Sequence, residues 1–155
     1  MDLQNNLVFS NLRKNSILLI EDNPDHVEII KAAASESMPE TSVVTAYSPA
    51  SAISFLENIL SADGILPQLV LLDLYLPKRE DGWMVLQKIK NHAPKLALLP
   101  VIVLSSSDCQ QDISDAYKYG STAYTIKPMS YQAWLTYFTN LRRHWLETVS
   151  LPVHL

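Results

Sequence analysis

Leu69-Val70-Leu71-Leu72-Asp73 is a run of four apolar residues closed by a carboxylate. A short apolar run bounded by turn signals reads as a strand buried on both faces of a parallel sheet. Three similar runs stand elsewhere in the chain. Ile17-Leu18-Leu19-Ile20 ends in the acidic pair Glu21-Asp22, Val101-Ile102-Val103-Leu104 ends in Ser105, and Thr122-Ala123-Tyr124-Thr125-Ile126 ends in Lys127-Pro128. Parallel strands bring their carboxyl ends to one edge of the sheet, where open α/β sheets bind ligands. That edge then holds carboxylates, a hydroxyl and an ammonium, a set suited to a divalent cation and a phosphoryl group.

Working outward, strands are expected near 16–21, 41–46, 68–73, 100–105 and 122–126, with helical patterns between them. Pro24 opens the first helix, with Val27, Ile30 and Ala34 inward. Ser48-Pro49 opens the second, above Ala52, Ile53, Leu56 and Leu60. Gly82 precedes the third, which carries Trp83, Val85, Leu86 and Ile89. Ser107 or Asp108 caps the fourth, with Ile113, Ala116 and Tyr117 inward and Gly120 ending it. Ser130 caps the last, which runs to about Val149. Five βα units imply a doubly wound α/β fold with right-handed crossovers and helices on both faces. The expected organisation is an arm over 1–15, one domain over 16–150 with an extended last helix, and a tail over 151–155.

Composition narrows the function. The chain has 155 residues, 48% hydrophobic and 18% charged, which suits one globular domain. A net charge of −4 without a basic run argues against nucleic-acid binding. The single cysteine, Cys109, can form no internal disulfide and fits a reducing compartment. No stretch reads as a signal peptide or a membrane span, so a cytoplasmic location is expected. His26, His92, His144 and His154 lack metal-ligand spacing and are assigned to surface or packing roles.

Carboxylates gathered at one point repel each other unless a cation compensates. Mg²⁺ takes one or two carboxylates, keeps several waters and accepts phosphate oxygens. Asp22 and Asp73 are the expected direct ligands, Glu21 joins the cluster directly or through water, and the backbone carbonyl of Tyr75 is a further candidate. Asp73 is also the expected nucleophile, since a carboxylate can attack phosphorus to give an acyl phosphate. Lys127 supplies a second positive charge and Ser105 a hydroxyl donor to a phosphate oxygen.

Each residue alone has a plainer role, as turn former, cap or solvated loop residue; the joint pattern carries the assignment. The motifs Ile17-Leu-Leu-Ile-Glu21-Asp22-Asn-Pro24, Leu71-Leu-Asp73-Leu-Tyr-Leu-Pro77, Asp81-Gly82, Val103-Leu-Ser105-Ser and Tyr124-Thr-Ile-Lys127-Pro128 resemble the receiver domain of two-component response regulators, over about residues 15–140. The resemblance implies a flavodoxin-like (βα)5 fold with strand order 2-1-3-4-5. It makes Asp73 the phospho-acceptor for a sensor histidine kinase, and Glu21 and Asp22 the acidic metal pair. Ser105 and Lys127 become the switch hydroxyl and the phosphate-binding lysine, and Tyr124 the aromatic that turns on activation. A cis peptide is implied at Lys127–Pro128. The chain length, the Leu76-Pro77-Lys78 segment and the tail from Trp145 to Pro152 are similar to small cyanobacterial response regulators paired with phytochromes, in which dimers are common.

Two departures from the family pattern stand out. Arg79-Glu80 lengthens the loop before Asp81-Gly82 by about one residue, and Tyr75 is bulkier than usual two places after the acceptor, where it can shield an acyl phosphate from water. Trp134, Phe138, Leu141 and Trp145 recur at helical spacing in the last helix. The stripe runs on through Leu146 and Val149, and a homodimer contact is expected on it, ahead of a fold back against the Met1–Asn15 arm or partner docking. Three other readings fit less well. A phosphorylation-independent adaptor has no need of the full acidic, hydroxyl and lysine set. An aspartyl phosphatase places a second aspartate where Tyr75 stands. A flavin-binding domain needs a phosphate cradle where Glu21-Asp22-Asn23-Pro24 has the wrong sign.

Overall fold

The structure is a computed structural model, described here over residues 16–146. The expected arm, the end of the last helix and the tail fall outside those residues. Five parallel strands, β1 (Ser16–Ile20), β2 (Ser42–Ala46), β3 (Leu69–Asp73), β4 (Val101–Ser105) and β5 (Ala123–Ile126), lie in the order β2-β1-β3-β4-β5. The helices are α1 (Pro24–Ser37), α2 (Pro49–Ser61), α3 (Arg79–His92), the short α4 (Pro94–Ala97), α5 (Gln110–Lys118) and α6 (Tyr131–Leu141). A π-helical turn, Arg142–Leu146, follows.

Alternation along the strands divides the core. Ile17, Leu19, Leu69, Leu71, Ile102 and Leu104 pack against Val27 and Ile30 of α1 and Trp134 and Phe138 of α6. Leu18, Ile20, Val70, Leu72, Val101 and Val103 pack on the other face against Leu56 of α2, Leu86 of α3 and Ala116 of α5. Burying each such side chain contributes about 1.5–3 kcal/mol before conformational entropy is set against it.

Helix starts follow local chemistry. The Asn23 side chain accepts from Asp25 N at 2.9 Å ahead of Pro24. Ser48 and Ser51 form a reciprocal capping box ahead of α2, and Ser130 Oγ accepts from Ala133 N at 3.1 Å. Helix α5 ends in a Schellman arrangement. Ser121 N donates to Ala116 O at 2.9 Å and Gly120 N to Tyr117 O at 3.1 Å, with Gly120 at φ 102°.

Several expectations are corrected. Helix α3 starts at Arg79, so Arg79 and Glu80 form its first turn rather than a longer loop, and Gly82 lies inside it. The Asp81 carboxylate accepts from Lys78 N at 3.1 Å, which fixes that start. Gly82 is needed because a Cβ there would lie 2.0 Å from the carbonyl oxygen of Leu74. The cap residue of α5 is Cys109, not Ser107 or Asp108. Tyr117, expected inward, is exposed, and Asp112 takes an inward place instead. The cis peptide is Leu76–Pro77; Lys127–Pro128 is trans, the isomer an X–Pro bond prefers by about 0.5–1 kcal/mol. Trp134, Phe138 and Leu141, expected as a dimer surface, are 6%, 0% and 5% exposed. Their spacing puts them on the face of α6 that meets the sheet, where Trp134 and Phe138 stack with ring centroids 5.7 Å apart. Trp145 is partly buried on the same cluster.

Candidate functional site

Strand register decides which side chains meet. Ile20 pairs with Leu72, Asp73 with Leu104, and Ser105 with Ile126. The residues just past these pairs therefore share one edge. Strand order reverses between β1 and β3, and the crevice there holds Glu21, Asp22 and Asp73. Backbone bonds hold the edge level: Glu21 N donates to Ala46 O at 3.1 Å and Lys127 N to Ser105 O at 2.8 Å.

Glu21, Asp22 and Asp73 each bring a carboxylate oxygen within 4.8 Å of the others. Lys127 Nζ reaches over this group, 2.8 Å from Glu21 Oε2 and 3.4 Å from Asp73 Oδ2. Glu21 Oε1 accepts from Asn23 N at 3.1 Å, and Asp73 Oδ1 accepts weakly from Tyr75 N at 3.3 Å. Asp22 is half-buried. Burial pushes the Asp73 carboxyl up to about 7; Lys127 opposes this, while Glu21 adds to it. One ammonium is thus too little for three carboxylates, and the oxygen set fits a hard divalent cation. Glu21, Asp22 and Asp73 are the side chains that could hold it.

Of the other expected residues, Ser105 is fully buried at the same edge, its Oγ accepting from Ser107 N at 3.1 Å. Tyr124 packs against the core beneath α3 and α5 and donates its hydroxyl to Ser107 O at 2.7 Å. Pro128 follows Lys127 on the rim of a cavity of about 340 Å³, whose lining includes His26, Ile29, Met129, Tyr131 and Trp134.

Two residues were missed by sequence reasoning. His26 Nδ1 lies 3.3 Å from Lys127 Nζ and 3.7 Å from Glu21 Oε1. It is the third residue of α1, in the first turn of the helix that follows the Glu21-Asp22 pair, and that placement was the available signal. Asp112 is 1% exposed and accepts from Arg79 Nη1 at 2.7 Å, Ser107 Oγ at 2.8 Å and Tyr75 OH at 3.2 Å. Burial works to raise its carboxyl, yet the bonds from Arg79, Ser107 and Tyr75 hold it below the ordinary carboxylate value. Its only sequence signal was its place one turn before Ala116.

Comparison with known proteins agrees with this geometry. The family model of the response regulator receiver domain matches residues 17–138. The chain is 33% identical over 130 residues to the probable methanogenesis regulatory protein FilR2 of Methanothrix harundinacea (strain 6Ac), covering 84% of this chain and 83% of that one. It is 31% identical over 137 residues to response regulator Rcp1 of Synechocystis sp., covering 88% and 92% respectively. The crystal structure of the Mn²⁺-bound form of Rcp1 superposes with a TM-score of 0.75, at 30% identity, over 90% of this chain and 99% of that one. The phosphorylated cyanobacterial phytochrome response regulator RcpA superposes at 0.79, with 33% identity and the same two coverages. With the sheet order, the acidic crevice and the lysine in place, the chain belongs to the response regulator receiver domain family.

Proposed function

We propose that Asp73 accepts a phosphoryl group from the phosphohistidine of a sensor histidine kinase, with Mg²⁺ held by Glu21, Asp22, Asp73 and the Tyr75 carbonyl. The observation that supports this best is Lys127 Nζ lying between Glu21 and Asp73 beside the open carboxylate of Asp22. An Asp73 oxygen attacks phosphorus, the P–N bond breaks, and the imidazole nitrogen leaves with the electron pair. Only the ionised carboxylate can do this, so the site must keep Asp73 deprotonated near neutral pH. The cation supplies charge compensation for the carboxylates and the phosphoryl oxygens. Lys127 then serves as the counter-charge on the far side, and Ser105 donates its hydroxyl to a phosphoryl oxygen.

The phosphoryl group brings about −1.5 to −2 charge and new acceptor oxygens. Ser105 is drawn to it, and Tyr124 turns into the space left behind. Output then runs through protein contacts. Ser105→Ala is expected to accept the phosphoryl group but to switch poorly.

The partner we infer is a phytochrome-type kinase, because Rcp1 and RcpA are among the similar proteins and RcpA is a phytochrome response regulator. The cavity lined by Lys127, with Ile29, Met129 and Tyr131 exposed around it, is the surface proposed for docking the kinase's phosphohistidine segment. A kinase of this kind draws its phosphoryl group from ATP, so the location proposed with it is cytoplasmic. The test is transfer of labelled phosphate from an autophosphorylated phytochrome kinase. No transfer under conditions where a small phosphodonor labels Asp73 would sink the pairing and leave the acceptor chemistry standing. The homodimer stays within this proposal on a surface other than Trp134, Phe138 and Leu141. A single-chain mass by light scattering, with and without phosphodonor, would end that part of it.

A further inference from the structure

The Lys127 ammonium carries three N–H donors on a flexible stem, and three acceptors stand around its Nζ. Two are carboxylates of the crevice, Glu21 Oε2 at 2.8 Å and Asp73 Oδ2 at 3.4 Å. The third is a ring nitrogen, His26 Nδ1 at 3.3 Å. An ammonium has no lone pair to offer, so this contact is a hydrogen bond only where Nδ1 accepts. The ring is then neutral and its proton sits on Nε2. The other neighbour of Nδ1, Glu21 Oε1, lies at 3.7 Å, beyond hydrogen-bond range. Both partners are anchored from their own backbones. The first turn of α1, which carries His26, is capped by Asn23, and Lys127 N donates to Ser105 O at 2.8 Å.

We propose that His26 is a positioning residue for phosphoryl transfer, its Nδ1 holding the Lys127 ammonium beside Asp73. The hold matters because the carboxylates have a second claim on them. Glu21 and Asp73 belong to the oxygen cluster that fits a divalent cation, and His26 stands outside that cluster. Their oxygens are shared once a cation is bound, whereas Nδ1 is not. A long lysine stem left with fewer partners regains rotamer freedom, and restraining it again costs entropy in every transfer. The imidazole restrains it without adding a negative charge that would compete with a phosphoryl oxygen for the ammonium. His26 therefore acts through Lys127 and touches no reacting atom itself.

The inference rests on the receiver reading of the site, and the experiment separates the two. Wild type, His26→Ala, His26→Asn, Lys127→Ala and the His26→Ala/Lys127→Ala double variant are incubated with Mg²⁺ and acetyl phosphate. Adduct formation is followed in time by intact-protein mass spectrometry. His26→Asn returns an acceptor oxygen near the place of Nδ1. His92→Ala is the control; that ring pairs with Glu57 between α2 and α3. His26→Ala is expected to form the adduct about 3- to 10-fold more slowly, the loss of one bond to a charged donor from a half-exposed ring. His26→Asn is expected to recover most of the rate, and His92→Ala to keep all of it. On the Lys127→Ala background, His26→Ala is expected to make no further difference. Nitrogen NMR of the imidazoles in Mg²⁺-loaded wild type, at mildly alkaline pH, is expected to show His26 as the Nε2–H tautomer. A wild-type rate in His26→Ala, an equal slowing on the Lys127→Ala background, no recovery in His26→Asn, or a ring protonated on Nδ1 would each overturn the role of His26. Each leaves the receiver reading standing. A wild type that takes no phosphoryl group, from acetyl phosphate or from a phosphorylated kinase, would overturn the receiver reading, and the role of His26 in transfer with it.

Discussion

Divalent-cation binding should be coupled to a proton at Asp73, and pH is the perturbation that exposes it. Burial holds the metal-free Asp73 carboxyl near 7 in spite of Lys127. A cation that uses this oxygen must displace the proton. At about pH 6 only about a tenth of the sites are ionised, and at about pH 8 about nine-tenths are, so the apparent affinity for Mg²⁺ or Mn²⁺ should rise roughly tenfold between them. Above about pH 8 it should level off. Calorimetric titration in buffers of different ionisation enthalpy reads both quantities, affinity and protons released. Near pH 7 about half a proton should leave per cation bound, and almost none at about pH 8.5. Asp73→Asn should bind weakly with no pH slope across this range. An affinity flat from about pH 5.5 to 8.5 with no proton release in wild type would refute the account of Asp73.

The same group fixes the sign of the stability profile. Asp73 ordinarily titrates at 3.8 and is raised to about 7 in the folded chain. The folded state binds the proton more tightly, so this stabilisation is present below about pH 4 and is lost as pH rises through about 7, on the order of 4 kcal/mol between the limits. Metal-free Asp73→Asn should therefore be more stable than wild type at about pH 8, by about 1–3 kcal/mol in urea unfolding, and should gain little on adding Mg²⁺. Gly82→Ala puts a Cβ 2.0 Å from the Leu74 carbonyl oxygen and should cost about 3 kcal/mol or more by the same measurement, or shift α3. Phe138→Ala empties a fully buried site between α6 and the sheet and should cost about 3–5 kcal/mol. Its molecular mass by light scattering should match wild type; a change would restore Phe138 as an interface residue.

β1, β3 and β4 were legible because each is buried throughout and so spells a short apolar run, and every observed strand, the part-exposed β2 and β5 included, lies within the expected limits. The site was legible for the same reason: Glu21, Asp73, Ser105 and Lys127 mark where those runs stop. What periodicity could not tell was which apolar neighbour lies beneath a helix. Trp134, Phe138 and Leu141 look the same in sequence whether a sheet or a second chain covers them. Gly82 was placed just ahead of its helix rather than inside it, because its role is a close approach to Leu74 across space, which no local pattern records. Asp112 escaped because its three donors come from residues 75, 79 and 107, and a buried carboxylate with remote partners is spelled like an exposed one. The isomer at Lys127–Pro128 is not specified by dipeptide identity, since an X–Pro bond takes either form at small cost.

The most direct test of the central claim is intact-protein mass spectrometry after incubation with Mg²⁺ and a small phosphodonor such as acetyl phosphate. Asp73→Asn is treated alongside. One phosphoryl adduct on wild type, absent without Mg²⁺ and absent in Asp73→Asn, is the predicted result. An adduct that persists in Asp73→Asn would contradict the assignment of the acceptor. No adduct on wild type, from the small donor or from a phosphorylated kinase, would contradict the phosphorelay function itself.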